Sequence, residues 1–318
     1  MELEPIPQHV DIKPLFVERY KALLGKDYEL FLNYSLSYQR KAIRVNTLKI
    51  SIKELQKRLE PRWILKQVPW CKEGFWIEAK GDKRFDIGNL LEHVLGYIYV
   101  QDASSMIPPL VLDQRPGELI LDVCAAPGSK SSQIAQYMHN EGLLVCNDVQ
   151  GSRLKPLGVN LQRCGLHNHI ITLMQPAQFP KAGVQFDRIL VDAPCSGTGT
   201  IRKSLKTLQM WSPNLVSKMA KVQLHILRNA YKVLKPGGTL VYSTCTLEPE
   251  ENEAVVSAFL AEHHDMRLQP IILEIKRSKP VLQFDKLTIS PAVQDCLRIH
   301  PQDNDSEGFF VSKLHKSI

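Results

Sequence analysis

The sequence predicts an α/β fold: a doubly wound, nucleotide-binding sheet preceded by a smaller α+β module. Three observations lead there. Leu119–Lys130 reads LILDVCAAPGSK, an apolar strand run, a turn of small residues, and then helical spacing of Ile134, Ala135 and Met138. Apolar runs and helix-period segments then alternate as far as residue 262. Before residue 100 short strands and helices alternate in a different, more basic composition.

The turn defines its ligand class. Strand, tight turn and helix place free N–H groups where a nucleotide can approach the backbone. Gly128 is the one glycine of the turn, so the pattern is not G-x-G-x-x-G. Asp122 puts a carboxylate at the strand end, where a pyrophosphate would be repelled and a cationic ligand such as the amino group of S-adenosylmethionine would be held. Asp148 ends the next apolar run, Leu143–Asn147, about 20 residues past that glycine, the offset at which an acid takes ribose hydroxyls.

In chain order, residues 12–38 show amphipathic helical spacing (Leu15, Phe16, Tyr20, Leu23, Leu24, Leu30, Phe31, Tyr34). Ala42–Asn46 reads as a strand, and Ser51 with Glu54 as a capping box opening a helix through Leu59. Trp63–Val68 and Phe75–Ile77 read as further strands. Over residues 1–101 Lys and Arg number 17 against 13 acids, and Trp63, Trp70, Phe75 and Trp76 lie among these charges. They read as core side chains, with stacking on bases the alternative. In the main domain strands are expected at 119–123, 143–147, 169–173, 187–191 and 238–243, and helices at 129–139, 152–164, 213–234 and 249–262. Pro236-Gly237-Gly238 is the expected turn into the fifth strand. The tail after His264 reads as short strands ending at Phe309–Leu314. The resulting division is 1–100 and 101–318.

The 318 residues carry a net charge of +7, which permits a polyanionic partner. Seven cysteines, an odd count without C-x-x-C, argue against a disulfide framework or zinc site. The histidines, His263-His264 included, make no metal or triad pattern. No apolar run is long enough to span a membrane and MELEPIPQHV is no signal peptide, so a cytoplasmic protein is expected. Between Asp192 and Glu248 no acid occurs, while Arg202, Lys203, Lys206, Lys218, Lys221, Arg228, Lys232 and Lys235 do. That span reads either as a phosphate-contacting surface or as a solvated helix face.

Two strand ends carry a cysteine. One is Val191-Asp192-Ala193-Pro194-Cys195-Ser196-Gly197-Thr198-Gly199-Thr200 and the other Tyr242-Ser243-Thr244-Cys245-Thr246. Ligands of doubly wound sheets bind at strand carboxyl ends, so Asp192, Cys195 and Cys245 would converge near Ala125–Gly128. A thiol, a carboxylate and a methyl-donor site suit carbon-5 methylation of a pyrimidine. Thiolate addition to ring carbon 6 makes carbon 5 enamine-like, and hydrogen bonding at ring nitrogen 3 by Asp192 assists that addition. Cysteine is both a good nucleophile and a good leaving group. Cys71, Cys124, Cys146, Cys164 and Cys296 lie in mostly apolar settings and read as packing.

With these residues in view, the chain resembles the Nop/Sun family of RNA 5-methylcytosine methyltransferases, which use S-adenosylmethionine. The resemblance rests on AIRVNTLK (42–49), YVQDASSMIPP (99–109), LILDVCAAPGSKSSQ (119–133), NDVQGSRL (147–154), FDRILVDAPCSGTGTIRK (186–203), VLKPGGTLVYSTCTLEPEENE (233–253) and GFF (308–310), in family order over most of the chain. It implies a Rossmann-like methyltransferase domain and an N-terminal RNA-binding extension with Arg44 and Asn46 in its motif. Cys124, Ala125, Ala126, Pro127, Gly128, Ser129 and Lys130 would bind the cofactor. Asp148 would take the ribose, Arg153 would support that loop, and Asp192 would contact cofactor and cytosine. Cys245 would be the nucleophile and Cys195 the second cysteine, which assists product release. Four positions depart from the family. Ser129 replaces a second glycine, Met174-Gln175-Pro176 lacks the usual acid near the adenine, Thr246 follows Cys245 where serine is usual, and Lys206-Thr207-Leu208 lacks the Asn-Pro that precedes the tryptophan, here Trp211.

The resemblance implies an RNA substrate, transfer RNA by family analogy, acted on by a monomer without metal. The competing readings are a ribosomal-RNA cytosine-5 methyltransferase, a DNA enzyme using Pro194-Cys195 as its nucleophile motif, and a non-catalytic RNA-binding ribosome-assembly factor.

Overall fold

The computed structural model describes residues 3–6, 10–81 and 86–318. Part of MELEPIPQHV, the stretch read as no signal peptide, lies outside the described residues. The chain divides into two compact units, one of Met1–Gln39, Ala193–Arg228 and Tyr242–Leu314, the other of Arg40–Asp192, Asn229–Val241 and His315–Ile318.

The amphipathic stretch at 12–38 is not one helix. It forms α1 (Pro14–Leu24) and α2 (Tyr28–Ser35), separated by a 3₁₀ turn at Gly25–Asp27. Gly25 caps α1 at φ +55°, a conformation that stops the helix. β1 (Ala42–Val45), α3 (Ile52–Leu59), β2 (Trp63–Gln67) and β3 (Gly74–Ala79) follow, then α4 (Leu91–Val94) and β4 (Ile98–Val100). The Ser51–Glu54 capping box is present, with side chain and backbone bonded reciprocally. The strands form an antiparallel sheet, β2-β3-β1-β4, over a core that includes Ile43, Val45, Leu55, Leu59, Trp63 and Phe75. Trp63, Trp70, Phe75 and Trp76 are all buried, so they are core residues and not a stacking platform.

Next come α5 (Ile107–Leu112), β5 (Leu119–Asp122), α6 (Ser129–Tyr137), β6 (Leu143–Asn147), α7 (Gly151–Cys164), β7 (His169–Thr172) and β8 (Phe186–Asp192). The prolines Pro108 and Pro109 lie in the first turn of α5, where a missing N–H breaks no helical bond. α8 (Lys206–Met210), α9 (Pro213–Lys232), β9 (Leu234–Thr244), α10 (Glu253–Glu262), β10 (Met266–Gln269), β11 (Gln283–Phe284), β12 (Leu287–Thr288), β13 (Leu297–Ile299), α11 (Pro301–Asn304) and β14 (Phe309–Lys316) complete the order. Pro236-Gly237-Gly238 is not a turn before the fifth strand. β9 already runs through it, with Gly237 at φ +74°.

In the second unit the strand order is β9-β8-β5-β6-β7, and β5 pairs in parallel with both β6 and β8. The chain runs outward from β5 to β7 and then returns to β8 on the other side of β5. That reversal is the topological switch point, where ligands of such sheets bind at the strand carboxyl ends. Asp122 ends β5 and Asp192 ends β8. In the first unit β10, β14 and β9 pair in that order, with β13 on β14. Its aromatic core stacks Phe16 on Tyr20 at 4.1 Å, with Trp211 edge-on to Phe16 at 5.1 Å.

Candidate active site

The cofactor turn is built by the sequence that predicts it. Gly128 takes φ +105° as N-cap of α6, and the Gly128 N–H closes onto the Ala125 carbonyl at 2.7 Å. The Ala126–Pro127 peptide is cis. Asp122 is fully buried. Its Oδ2 accepts from Ser131 Oγ at 2.7 Å, and among the described residues its Oδ1 has no hydrogen-bond partner. Burial pushes the Asp122 carboxyl up to about 7, over the opposing hydrogen bond from Ser131. Beside it, Lys130 Nζ lies 2.7 Å from Asp192 Oδ2 and donates to Ser105 Oγ at 3.0 Å. Asp148 is buried, its Oδ1 capping the Gln150 N–H at 3.0 Å and its Oδ2 3.2 Å from Arg153 Nη1. Arg153 Nη2 donates to the Ala126 carbonyl, so this arginine ties the Asp148 loop to the turn.

These residues fit S-adenosylmethionine. The orphaned Asp122 oxygen can accept a donor, α6 begins directly after the turn at the end of β5, and Asp148 directly follows β6. Next to the position of the missing adenine-side acid, the side-chain oxygen of exposed Gln175 accepts from Gln178 N–H, capping the 3₁₀ turn Pro176–Ala182. Asp122 also sets a pH signature. The ordinary carboxyl value is 3.8, so between about 4 and about 7 the folded protein keeps a proton that the unfolded chain releases. Stability of the ligand-free protein therefore falls as pH rises through that window, and Asp122→Asn reduces the fall. Melting curves from pH 4 to 8 check this, and parallel curves for the two proteins would contradict it.

Arg44 and Asn46 are buried and bonded to protein groups, not exposed. Arg44 Nη1 donates to Gln101 Oε1 at 2.7 Å and to the Ser129 carbonyl at 2.8 Å, and Nη2 donates to Ser132 Oγ at 2.8 Å. Asn46 Nδ2 donates to the carbonyls of Gly96 and Cys164, each at 2.8 Å. Arg44 braces the first turn of α6, and Asn46 the end of α7.

In the first unit Cys195 Sγ and Cys245 Sγ lie 3.2 Å apart. The hydrogen bond it shares with Cys245 and burial together push the Cys195 thiol well up. All seven cysteines are free, and Cys71, Cys146, Cys164 and Cys296 are buried as packing residues. Cys124 is half-buried, and burial and nearby carboxylates raise its thiol. Ser196 Oγ and Thr198 Oγ1 bond Thr246 Oγ1 at 2.7 and 2.9 Å, holding the two cysteine segments together. Gly199 N–H donates to the Cys245 carbonyl at 3.0 Å, and a Cβ there would sit 2.2 Å from the Gly308 carbonyl oxygen. Gly199→Ala is therefore expected to destabilise the fold by about 1–3 kcal/mol and to cut turnover. A thermal melt with a rate assay reads both, and unchanged values would refute the packing.

Sequence reasoning missed the carboxylates after Cys245. Glu248 is buried and accepts from Arg19 Nε, Tyr20 Oη and Trp211 Nε1 at 2.8–2.9 Å. Glu251 is also buried. The signal was present in EPEENE, an acidic string that ends an acid-free span. That span is not single-signed in three dimensions. Arg202, Lys203, Arg228 and Lys235 pair with Asp305, Glu307, Glu262 and Asp187. Lys206, Lys218, Lys221 and Lys232 are exposed, and no ion pair forms at them among the described residues.

A family model described as 16S rRNA methyltransferase RsmB/F matches residues 109–315, and one described as the N-terminal domain of 16S rRNA methyltransferase RsmF matches residues 12–103. The chain belongs to the RsmB/F family. It is 46% identical over 308 residues to the tRNA (cytosine(49)-C(5))-methyltransferase of Pyrococcus abyssi, covering 96% of each chain. It is 39% identical over 317 residues to ribosomal RNA small subunit methyltransferase F of Serratia proteamaculans, covering 98% of this chain but 64% of that one. The crystal structure of a Pyrococcus horikoshii methyltransferase homolog superimposes with a TM-score of 0.84 at 37% identity, covering 96% and 95% of the two chains. NSun6 of Pyrococcus horikoshii, solved with SFG, matches at a TM-score of 0.82 and 25% identity over the full length of both. The RsmB/F chain is thus a methyltransferase with a Rossmann-like domain and an RsmF-type N-terminal region, and its substrate is RNA. Among the described residues no helix is long and apolar enough to cross a membrane.

Proposed function

We propose that this RsmB/F protein methylates carbon 5 of cytosine in transfer RNA. It is an S-adenosylmethionine-dependent RNA cytosine-5 methyltransferase. The observation that carries the chemistry is the Cys195–Cys245 thiol pair at 3.2 Å. In our reading, when S-adenosylmethionine is bound it supplies, on a cationic sulfur, the methyl that an activated carbon 5 takes. Residues Cys124–Lys130 with Asp148 and Arg153 hold that cofactor, and Asp122 receives its amino group. Cys245 Sγ adds to carbon 6 while Asp192 hydrogen-bonds the ring at nitrogen 3. After methylation the carbon-5 proton leaves to solvent base, the 5,6 double bond re-forms, and the bond from carbon 6 to Cys245 breaks. The Cys195 S–H, beside the departing sulfur, stabilises the thiolate that leaves.

Transfer RNA is favoured because identity is higher to the Pyrococcus abyssi relative, 46%, than to the Serratia proteamaculans relative, 39%. We read residues 1–100 as the RNA-binding extension and 101–318 as the methyltransferase domain, in a cytoplasmic monomer that needs no metal. Incubation with S-adenosylmethionine and unmodified transfer or ribosomal RNA, followed by bisulfite sequencing, tests the substrate. Methylation at defined transfer-RNA cytosines is expected, and methylation confined to ribosomal RNA would overturn the assignment.

A further inference from the structure

Cys195 sits on a loop whose backbone is gripped on both sides of the thiol. The carbonyl of Pro194, one residue before it, accepts from Gln223 Nε2 at 2.9 Å. The N–H of Ser196, one residue after it, donates to Glu251 Oε2 at 3.0 Å. Gln223 and Glu251 are themselves joined, Nε2 to Oε2, at 2.7 Å. Both side chains are buried, and they come from α9 and from the segment after β9. The Tyr242 hydroxyl donates to the Glu251 carbonyl, so Glu251 is tied to the strand that ends at Cys245.

We infer that Gln223 and Glu251 are positioning residues that hold the Cys195 S–H against Cys245 Sγ for product release. The role follows from economy of contacts. The amide spends both N–H groups on this clamp, and Glu251 Oε2 accepts both of its bonds from it. Gln223 Oε1 and Glu251 Oε1 have no hydrogen-bond partner among the described residues, a cost that a packing role alone does not explain. Burial pushes the Glu251 carboxyl up to about 7, so a neutral amide is a close substitute for it at neutral pH. The step served is the last one: the bond from carbon 6 to Cys245 sulfur breaks, its electron pair stays on that sulfur, and the Cys195 S–H hydrogen-bonds the thiolate formed. A misplaced Cys195 slows this step and leaves the earlier addition and methylation intact.

This inference rests on the release role read for Cys195, and the test separates the two. Full-length wild type, Cys195→Ala, Gln223→Leu, Glu251→Ala and Glu251→Gln are mixed with unmodified transfer RNA and S-adenosylmethionine. First-turnover methylation, steady-state rate and denaturation-resistant protein–RNA adduct are then measured. For Gln223→Leu and Glu251→Ala we expect a first turnover close to wild type, a steady-state rate lower by about 10- to 100-fold, and accumulated adduct. Glu251→Gln keeps both acceptances and is expected to restore turnover to within about threefold. Gln223→Met replaces Gln223→Leu if the latter fails to fold. Adduct accumulation by Cys195→Ala but not by the clamp variants would overturn the positioning role. Equal loss of the first turnover and the steady state in the clamp variants would make the role structural only. Absence of adduct in Cys195→Ala would overturn the release role itself, and the clamp's part with it.

Discussion

Cys245→Ala is expected to abolish turnover, by about 10⁴-fold or more, while leaving S-adenosylmethionine binding unchanged. Cys195→Ala is expected to keep one round of methylation and then stall as a covalent protein–RNA adduct. The asymmetry follows from the thiol pair. The two sulfurs lie 3.2 Å apart, close enough for one to add to the base while the other stands beside it as a hydrogen-bond partner. In the proposed mechanism the Cys245 sulfur, at the end of β9, adds to the base, and Cys195 is the donor beside it. Rapid-quench methylation with denaturing electrophoresis reads both variants. A Cys245→Ala protein with full turnover and an inactive Cys195→Ala protein would reverse the roles and favour the DNA-type arrangement at Pro194-Cys195.

Arg44→Leu is expected to cost about 3–5 kcal/mol of stability, because it strips donors from several buried acceptors at once. The Ser129 carbonyl, Gln101 Oε1 and Ser132 Oγ all lose a charged partner at 2.7–2.8 Å. Since Ser129 and Ser132 lie in the first turn of α6, the same change is expected to weaken S-adenosylmethionine binding by about tenfold or more. A denaturant melt and a calorimetric titration check the two effects. Unchanged stability and cofactor affinity would contradict the bracing role.

Arg44 also shows where the sequence could be read and where it could not. The strand–turn–helix at Leu119–Lys130, the capping box at Ser51–Glu54 and the cysteines at two strand ends are local patterns, and they fold as read. Charge and aromatic character mark no location by themselves. Arg44 belongs to the motif of an RNA-binding extension yet is buried, and the tryptophans of the N-terminal region are core. The acid-free span hid its neutralisation, because Asp305, Glu307, Glu262 and Asp187 come from distant or flanking segments. Gly237 reads as a turn residue but sits inside β9, and Gly25 ends α1 inside a stretch that reads as helical, differences that depend on φ in the folded backbone. The Gln223–Glu251 clamp joins residues 28 apart and has no local signature.

A bond between Cys245 and cytosine carbon 6 is tested by identifying the residue that carries the nucleotide. Cys195→Ala protein is stalled on transfer RNA with S-adenosylmethionine, digested with protease and nuclease, and analysed by tandem mass spectrometry. The account predicts a methylated cytidine nucleotide on the peptide containing Cys245. A nucleotide on any other residue, or methylated RNA with no protein-bound nucleotide at any time point, would contradict it.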